Sequence, residues 1–119
     1  METKAALKAL AALAHDSRLA IFRRLVELAP DGAHAGAIGE ALGLPGATLS
    51  FHLKELHHAG LVESRQEGRF VRYTANLATI QAIVGYLTET CCGGRPEMCA
   101  PGPVALPVPT VKRKMARPQ

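Results

Sequence analysis

The chain has 119 residues, of which 48% are apolar, 20% charged and 4% aromatic, with no Trp. That is the size of one small domain, too apolar to be disordered throughout, with a core that has to be built from Leu, Ala, Val and Ile and so favours packed helices. The net charge is +4, but residues 1–99 hold ten basic and ten acidic side chains, and the excess sits in Lys112, Arg113, Lys114 and Arg117, so the basic balance does not by itself mark the folded part as a polyanion binder.

Residues 4–14, KAALKALAALA, have high helix propensity. The opening METKAALKALAALAHD lacks a basic segment leading into a continuous apolar block, so it reads as a helix and not as a leader peptide. No run approaches the ~18 apolar residues of a membrane span. The expectation is a cytoplasmic protein with no membrane partner. Asp16 and Ser17 are good N-cap residues and open a second helix, Arg18 to about Ala29. Its apolar residues Leu19, Ile21, Phe22, Leu25, Val26 and Leu28 cover a wide arc, with Arg23, Arg24 and Glu27 opposite. Pro30-Asp31-Gly32 ends it. A short helix from about His34 to Leu42 follows and stops at Gly43. After the turn Leu44-Pro45-Gly46, residues 47–59 are helical again, with Leu49, Leu53 and Leu56 at i, i+4 and i+7 and Gly60 just past the end.

The pattern then changes to strands. Leu61–Arg65 and Phe70–Thr74 form a predicted two-stranded hairpin across Gln66-Glu67-Gly68-Arg69. Asn76 caps a last helix to about Thr90, with Leu77, Ile80, Ile83, Val84 and Leu87 on one stripe. Gly93, Gly94 and Pro96 break it. Residues 100–119 are a Pro-rich basic tail, expected to be flexible or polyproline-like. The expected organisation is a domain over 1–90, a cysteine segment over 91–99 and the tail.

Two short helices around a Gly/Pro turn, followed by a hairpin, predict a mainly α fold with a small β-hairpin, the winged helix–turn–helix. In that arrangement the second helix enters the major groove of double-stranded DNA. Leu49, Leu53 and Leu56 face inward on a helical wheel, while Ser50, Phe51, Lys54 and His58 face outward. Thr48 and Ser50 stand near the end where base edges are read, and Lys54 is placed for a phosphate. The hairpin offers Arg65, Arg69 and Arg72, with Arg69 beside Gly68 suited to a phosphate or the minor groove. His52, on the flank of the inward face, reads as a hydrogen-bonded packing residue. His57 and His58 point about 100° apart and make a poor chelating pair. His15 and His34 precede helices and are given no function. There is no nucleophile–base pair and no metal–water site in the pattern, so neither an enzyme nor an organic cofactor is expected.

The stretches ALAHDSRLAIFRRLVE and LSFHLKELHHAGLVESRQEGRFVRY, with the closing helix, resemble the ArsR family of metal- and metalloid-responsive repressors over about residues 5–90. The resemblance implies a homodimer with contacts by the first and last helices, and release from operator DNA when an inducer binds. The apolar stripes on 5–14 and 77–87 fit that arrangement independently. Family members that sense zinc through the last helix carry Asp and His ligands there; residues 77–90 contain no histidine, so that site is not expected. The Cys-Val-Cys box of well-known arsenic sensors is missing too, because the corresponding helix reads HAGAIGEALG.

The three cysteines, Cys91, Cys92 and Cys99, lie within nine residues just after the last helix, as they do in some arsenic-responsive relatives. Thiolates are soft ligands, and trivalent arsenic or antimony takes three sulfurs in a pyramid. Gly93-Gly94-Arg95-Pro96-Glu97-Met98 is flexible enough to bring Cys99 back to the other two. The expected inducer is therefore As(III) or Sb(III) on these three thiolates. The alternatives are methylarsenite, which needs two thiols, and zinc or cadmium completed by Glu97 or water. A cytosolic thiol carrier without operator binding is the reading from another class.

Overall fold

A computed structural model describes residues 1–90 and Gly93. The chain divides into two units, Met1–Tyr86 and Leu87–Gln119; the packing below is that of the first.

Helix α1 (Thr3–Leu13) buries Ala6, Ala9 and Ala12, while Leu7 and Leu10 are 61% and 39% exposed. The small side chains let its backbone lie close on α2 (Asp16–Glu27) and on the later helix α4. The cap of α2 differs from the expectation. His15, one residue earlier, is extended, and its Nδ1 accepts the Ser17 backbone N–H at 3.1 Å. Asp16 instead occupies the first turn, where a negative charge meets the positive end of the helix dipole. The helix ends at Glu27, two residues short of the expected Ala29. Of its predicted apolar arc, Ile21, Phe22 and Leu25 are buried, whereas Leu19 and Val26 are exposed.

A strand then appears that the sequence pattern did not announce. β1 (Ala33–His34) pairs antiparallel with β3 (Phe70–Ala75), Ala33 opposite Tyr73 and His34 opposite Arg72. The wing is therefore a three-stranded sheet in the order β1-β3-β2, with β2 at Val62–Glu67, and not an isolated hairpin. Two residues are too few to display alternation, and their partners are distant in the chain. Gly32 makes the approach possible: at φ +75 a side chain is strained, and a Cβ there would stand 2.0 Å from the Tyr73 carbonyl oxygen.

Helix α3 (Ala35–Leu42) ends at Gly43, left-handed at φ +68. Extended Pro45 leads into α4 (Gly46–His58). β2 and β3 are joined by only Gly68-Arg69, so Gln66 and Glu67 belong to the strand where a four-residue loop was expected. Helix α5 (Leu77–Leu87) starts on an Asn76 cap, whose Oδ1 accepts the Thr79 N–H at 3.3 Å, and stops before the expected Thr90. The Thr79 hydroxyl donates to the Gly60 carbonyl at 2.7 Å, tying α5 to the end of α4. The core gathers Ile21, Leu25, Ile38, Leu53, Leu56, Leu61 and Val62, with Ile83 from α5. Each such side chain contributes roughly 1.5–3 kcal/mol on burial, which makes the turn between α3 and α4 a rigid mount.

Candidate nucleic-acid interface

Helix α4 is split lengthwise. Leu49, Leu53 and Leu56 are 3%, 1% and 0% exposed, and His52 is buried beside them, while Thr48, Ser50, Phe51 and Lys54 lie on the exposed side. The period of 3.6 residues separates the two sets. Thr48 lies in the first turn and Ser50 opens the second, close behind the Gly43–Pro45 bend. Phe51 is 54% exposed, uncommon for a large aromatic on a small domain. His57 and His58 are exposed, with ring centroids 6.4 Å apart.

His52 sits at the junction of α4 and α2. Its Nδ1 accepts a hydrogen bond from Arg18 Nε at 3.2 Å, and the His15 ring lies 4.6 Å away. It is thus the hydrogen-bonded packing residue that its position predicted. Burial holds its pKa below the ordinary 6.5, and the neighbouring His15 and Arg18 push the same way against Glu55. The ring is consequently neutral near pH 7, as an acceptor for Arg18 must be. The Arg18 guanidinium carbon lies 5.9 Å from the Phe51 ring centroid, over the exposed side of α4.

The three wing arginines are not equivalent. Arg65 and Arg72 face each other across β2 and β3, a like-charge pair that would repel. Glu67 resolves it. Its carboxylate accepts from Arg65 Nη2 at 2.8 Å and from Arg72 Nε at 3.0 Å, and it meets His34 Nε2 at 2.8 Å. These hydrogen bonds, His34 first and then Arg65 and Arg72, hold the Glu67 pKa at about 2. Arg72 also donates to the Asp31 and Gly32 carbonyls at 3.3 and 3.5 Å, so its guanidinium is spent on bracing β1 to the hairpin. His34 stacks on Phe70 with centroids 5.2 Å apart. Arg65 keeps its side chain 72% exposed. Arg69, at the tip, is exposed and has no hydrogen bond or ion pair among the described residues.

Sequence reasoning therefore missed His15, Arg18, His34 and Glu67 as organising residues. Alternation along β2, which places Arg65 and Glu67 on one side, was the legible clue to Glu67. Nothing local marked His34 or Arg18. The predicted ligands Cys91, Cys92 and Cys99 lie outside the described residues. Among the described residues no group of three or more His, Cys, Asp or Glu side chains is placed to hold a metal ion. No described helix is long and apolar enough to cross a membrane.

Residues 13–65 match the family model described as a helix-turn-helix domain. An uncharacterised HTH-type transcriptional regulator of Bacillus subtilis, YceK, is 33% identical over 79 residues, covering 66% of this chain and 78% of YceK. The ArsR-like transcriptional regulator from Rhodococcus sp. RHA1 superposes with a TM-score of 0.65 at 28% identity, over 72% of this chain and 78% of that one. A solution structure from Mycobacterium bovis, Mb0332, superposes with a TM-score of 0.59 at 27% identity, over 75% of this chain and 82% of that one. It is described as a homodimeric winged helix-turn-helix DNA-binding domain of a possible ArsR-family regulator. With a three-stranded wing behind a polar-faced second helix, and with these relatives, the chain belongs to the ArsR-like family of helix–turn–helix DNA-binding transcriptional regulators.

Proposed function

We propose that the protein is a homodimeric repressor that binds double-stranded operator DNA through α4 and the wing and releases it when trivalent arsenic or antimony binds Cys91, Cys92 and Cys99. The observation that carries operator binding is the lengthwise split of α4, which leaves Thr48, Ser50, Phe51 and Lys54 outward on a helix locked from behind by leucines. Thr48 and Ser50 supply hydroxyls for base edges, and Phe51 an apolar surface of the kind that meets a thymine methyl. Lys54 and Arg69 supply charge for phosphates, with Arg65 beside them. Arg72 serves as the brace behind these contacts. Operator binding places the protein's action in the compartment that holds the DNA.

The dimer reading rests on α1, which turns its alanines inward and Leu7 and Leu10 outward, and on exposed Leu77 of α5. The homodimeric Mb0332 domain supports it. In this reading residues 1–90 bind DNA and dimerise, 91–99 sense the metalloid, and 100–119 add nonspecific attraction. The inducer assignment rests on the donor set: three soft thiols within nine residues match the three-coordinate preference of As(III) and Sb(III).

Selection from a random-sequence duplex pool is expected to return palindromic sites, as a two-fold dimer requires. Arsenite titrated into the complex with a selected duplex is expected to dissociate it. Failure of the folded protein to enrich any sequence removes operator binding. A complex unmoved by arsenite and antimonite removes the inducer and leaves operator binding standing.

A further inference from the structure

We propose that Arg18, on α2 and outside the helix–turn–helix pair, is a DNA-phosphate contact, pre-positioned by His52 and Phe51 of α4. Three observations converge on it. Its Nε is anchored to the buried ring of His52 at 3.2 Å. Its guanidinium lies 5.9 Å from the centroid of exposed Phe51, on the outward side of the recognition helix. Its Nη1 and Nη2 have no hydrogen-bond partner among the described residues.

A guanidinium has five N–H donors in a planar fork. With Nε tied to His52, the four Nη hydrogens remain, and the guanidinium is already held near the Phe51 ring. Most of the rotamer entropy that a free arginine loses on binding has been lost before DNA arrives. Such a fork matches the two non-bridging oxygens of a phosphodiester. The position fits as well. Phe51 follows Ser50 on the face proposed to enter the major groove, and a cation flanking that face meets the backbone that borders the groove. The rival account is that Arg18 only ties α2 to α4.

This inference rests on operator binding, and the salt dependence of that binding tests it. The probe is the duplex recovered from the random-sequence pool with the wild-type protein. Arg18→Gln keeps a side-chain N–H donor within reach of His52 and removes the charge. Its plot of log affinity against log salt should flatten by about 0.9 per protomer, with affinity at 0.1 M salt down about tenfold per protomer. Arg18→Lys keeps the charge and should keep the wild-type slope while binding more weakly, because the fork is gone. Thermal melts read folding in both variants. A folded Arg18→Gln variant with the wild-type slope overturns the proposal, as does an Arg18→Lys variant whose slope falls with that of Arg18→Gln. A wild-type protein that binds no duplex overturns the operator reading itself, a different outcome.

Discussion

Glu67 shows how one carboxylate can organise a wing. It holds Arg65 and Arg72 together across the hairpin and engages His34 of β1. Its pKa is held at about 2 in the fold against an ordinary 4.5. The folded value is the lower one, so the stabilisation is fully present above about pH 4.5 and is lost as pH falls towards 2. Acid should therefore loosen the wing, seen as faster amide exchange in β1 and β3 over that window. Glu67→Gln should show the loosened wing already at neutral pH, and a Glu67→Gln protein with wild-type exchange would remove this role. The proposed contact residues divide by chemistry. Arg69→Ala should weaken binding to all duplexes alike and reduce the salt slope by about 1 per protomer. Ser50→Ala should instead change which bases are preferred, worth roughly 1–3 kcal/mol at the position read. Binding measured on selected and scrambled duplexes separates the two, and an Arg69→Ala protein altered only in base preference would reverse the assignment.

Among the elements, α1 is inverted relative to an ordinary surface helix. Its inward row is Ala6, Ala9 and Ala12, and its larger Leu7 and Leu10 point to solvent. Close backbone packing explains the alanines: Ala9→Leu should push α1 off α2 and α4 and destabilise the fold by about 1–3 kcal/mol. The outward leucines do nothing for the monomer core, so Leu7→Glu with Leu10→Glu should leave the melting temperature of the isolated fold nearly unchanged and yield monomers. Sedimentation that still shows a dimer would exclude this face. Ile83 of α5, although on the predicted dimer stripe, is 5% exposed and belongs to the intrachain core. A charge at Ile83 should unfold the domain, because it buries an unpaired ion, and so reports stability instead of assembly.

At the scale of the whole molecule, the induction proposed above would be a coupling between the thiolates and the DNA-binding face. The metalloid has to bind the DNA-incompetent arrangement more tightly, by typically 1–3 kcal/mol, which corresponds to a 5–150-fold rise in the operator Kd. Cys91→Ser, Cys92→Ser and Cys99→Ser should each keep folding and operator binding and lose that rise with arsenite, because two thiolates leave the third position of As(III) labile. Methylarsenite already carries one carbon and needs two sulfurs. A Cys99→Ser protein that ignores arsenite but releases DNA with methylarsenite identifies Cys91 and Cys92 as the core pair. A Cys99→Ser protein that responds to arsenite like wild type excludes the three-thiol site.

What the sequence by itself determined is what neighbours in the chain decide. The i, i+4, i+7 leucines at 49, 53 and 56 set which side of α4 faces inward, and Gly43 and Asn76 end and begin helices through contacts a few residues long. The same locality made Thr48, Ser50, Phe51 and Lys54 legible as one outward face. Tertiary structure alone decided the rest. β1 exists because a two-residue segment meets Tyr73 and Arg72 some 40 positions later. Arg18 and His52 are 34 residues apart, and His34 and Glu67 are 33 apart. Whether alanines or leucines of α1 turned inward depended on how near α2 and α4 allow its backbone to come. The three wing arginines carry the same charge in the sequence, but only the fold, by supplying Glu67 and two carbonyls to Arg72, separates the brace from Arg69, which has no hydrogen bond or ion pair among the described residues. Long-range partners of this kind leave no periodic trace, because periodicity records only which side of an element is apolar and not what lies against it.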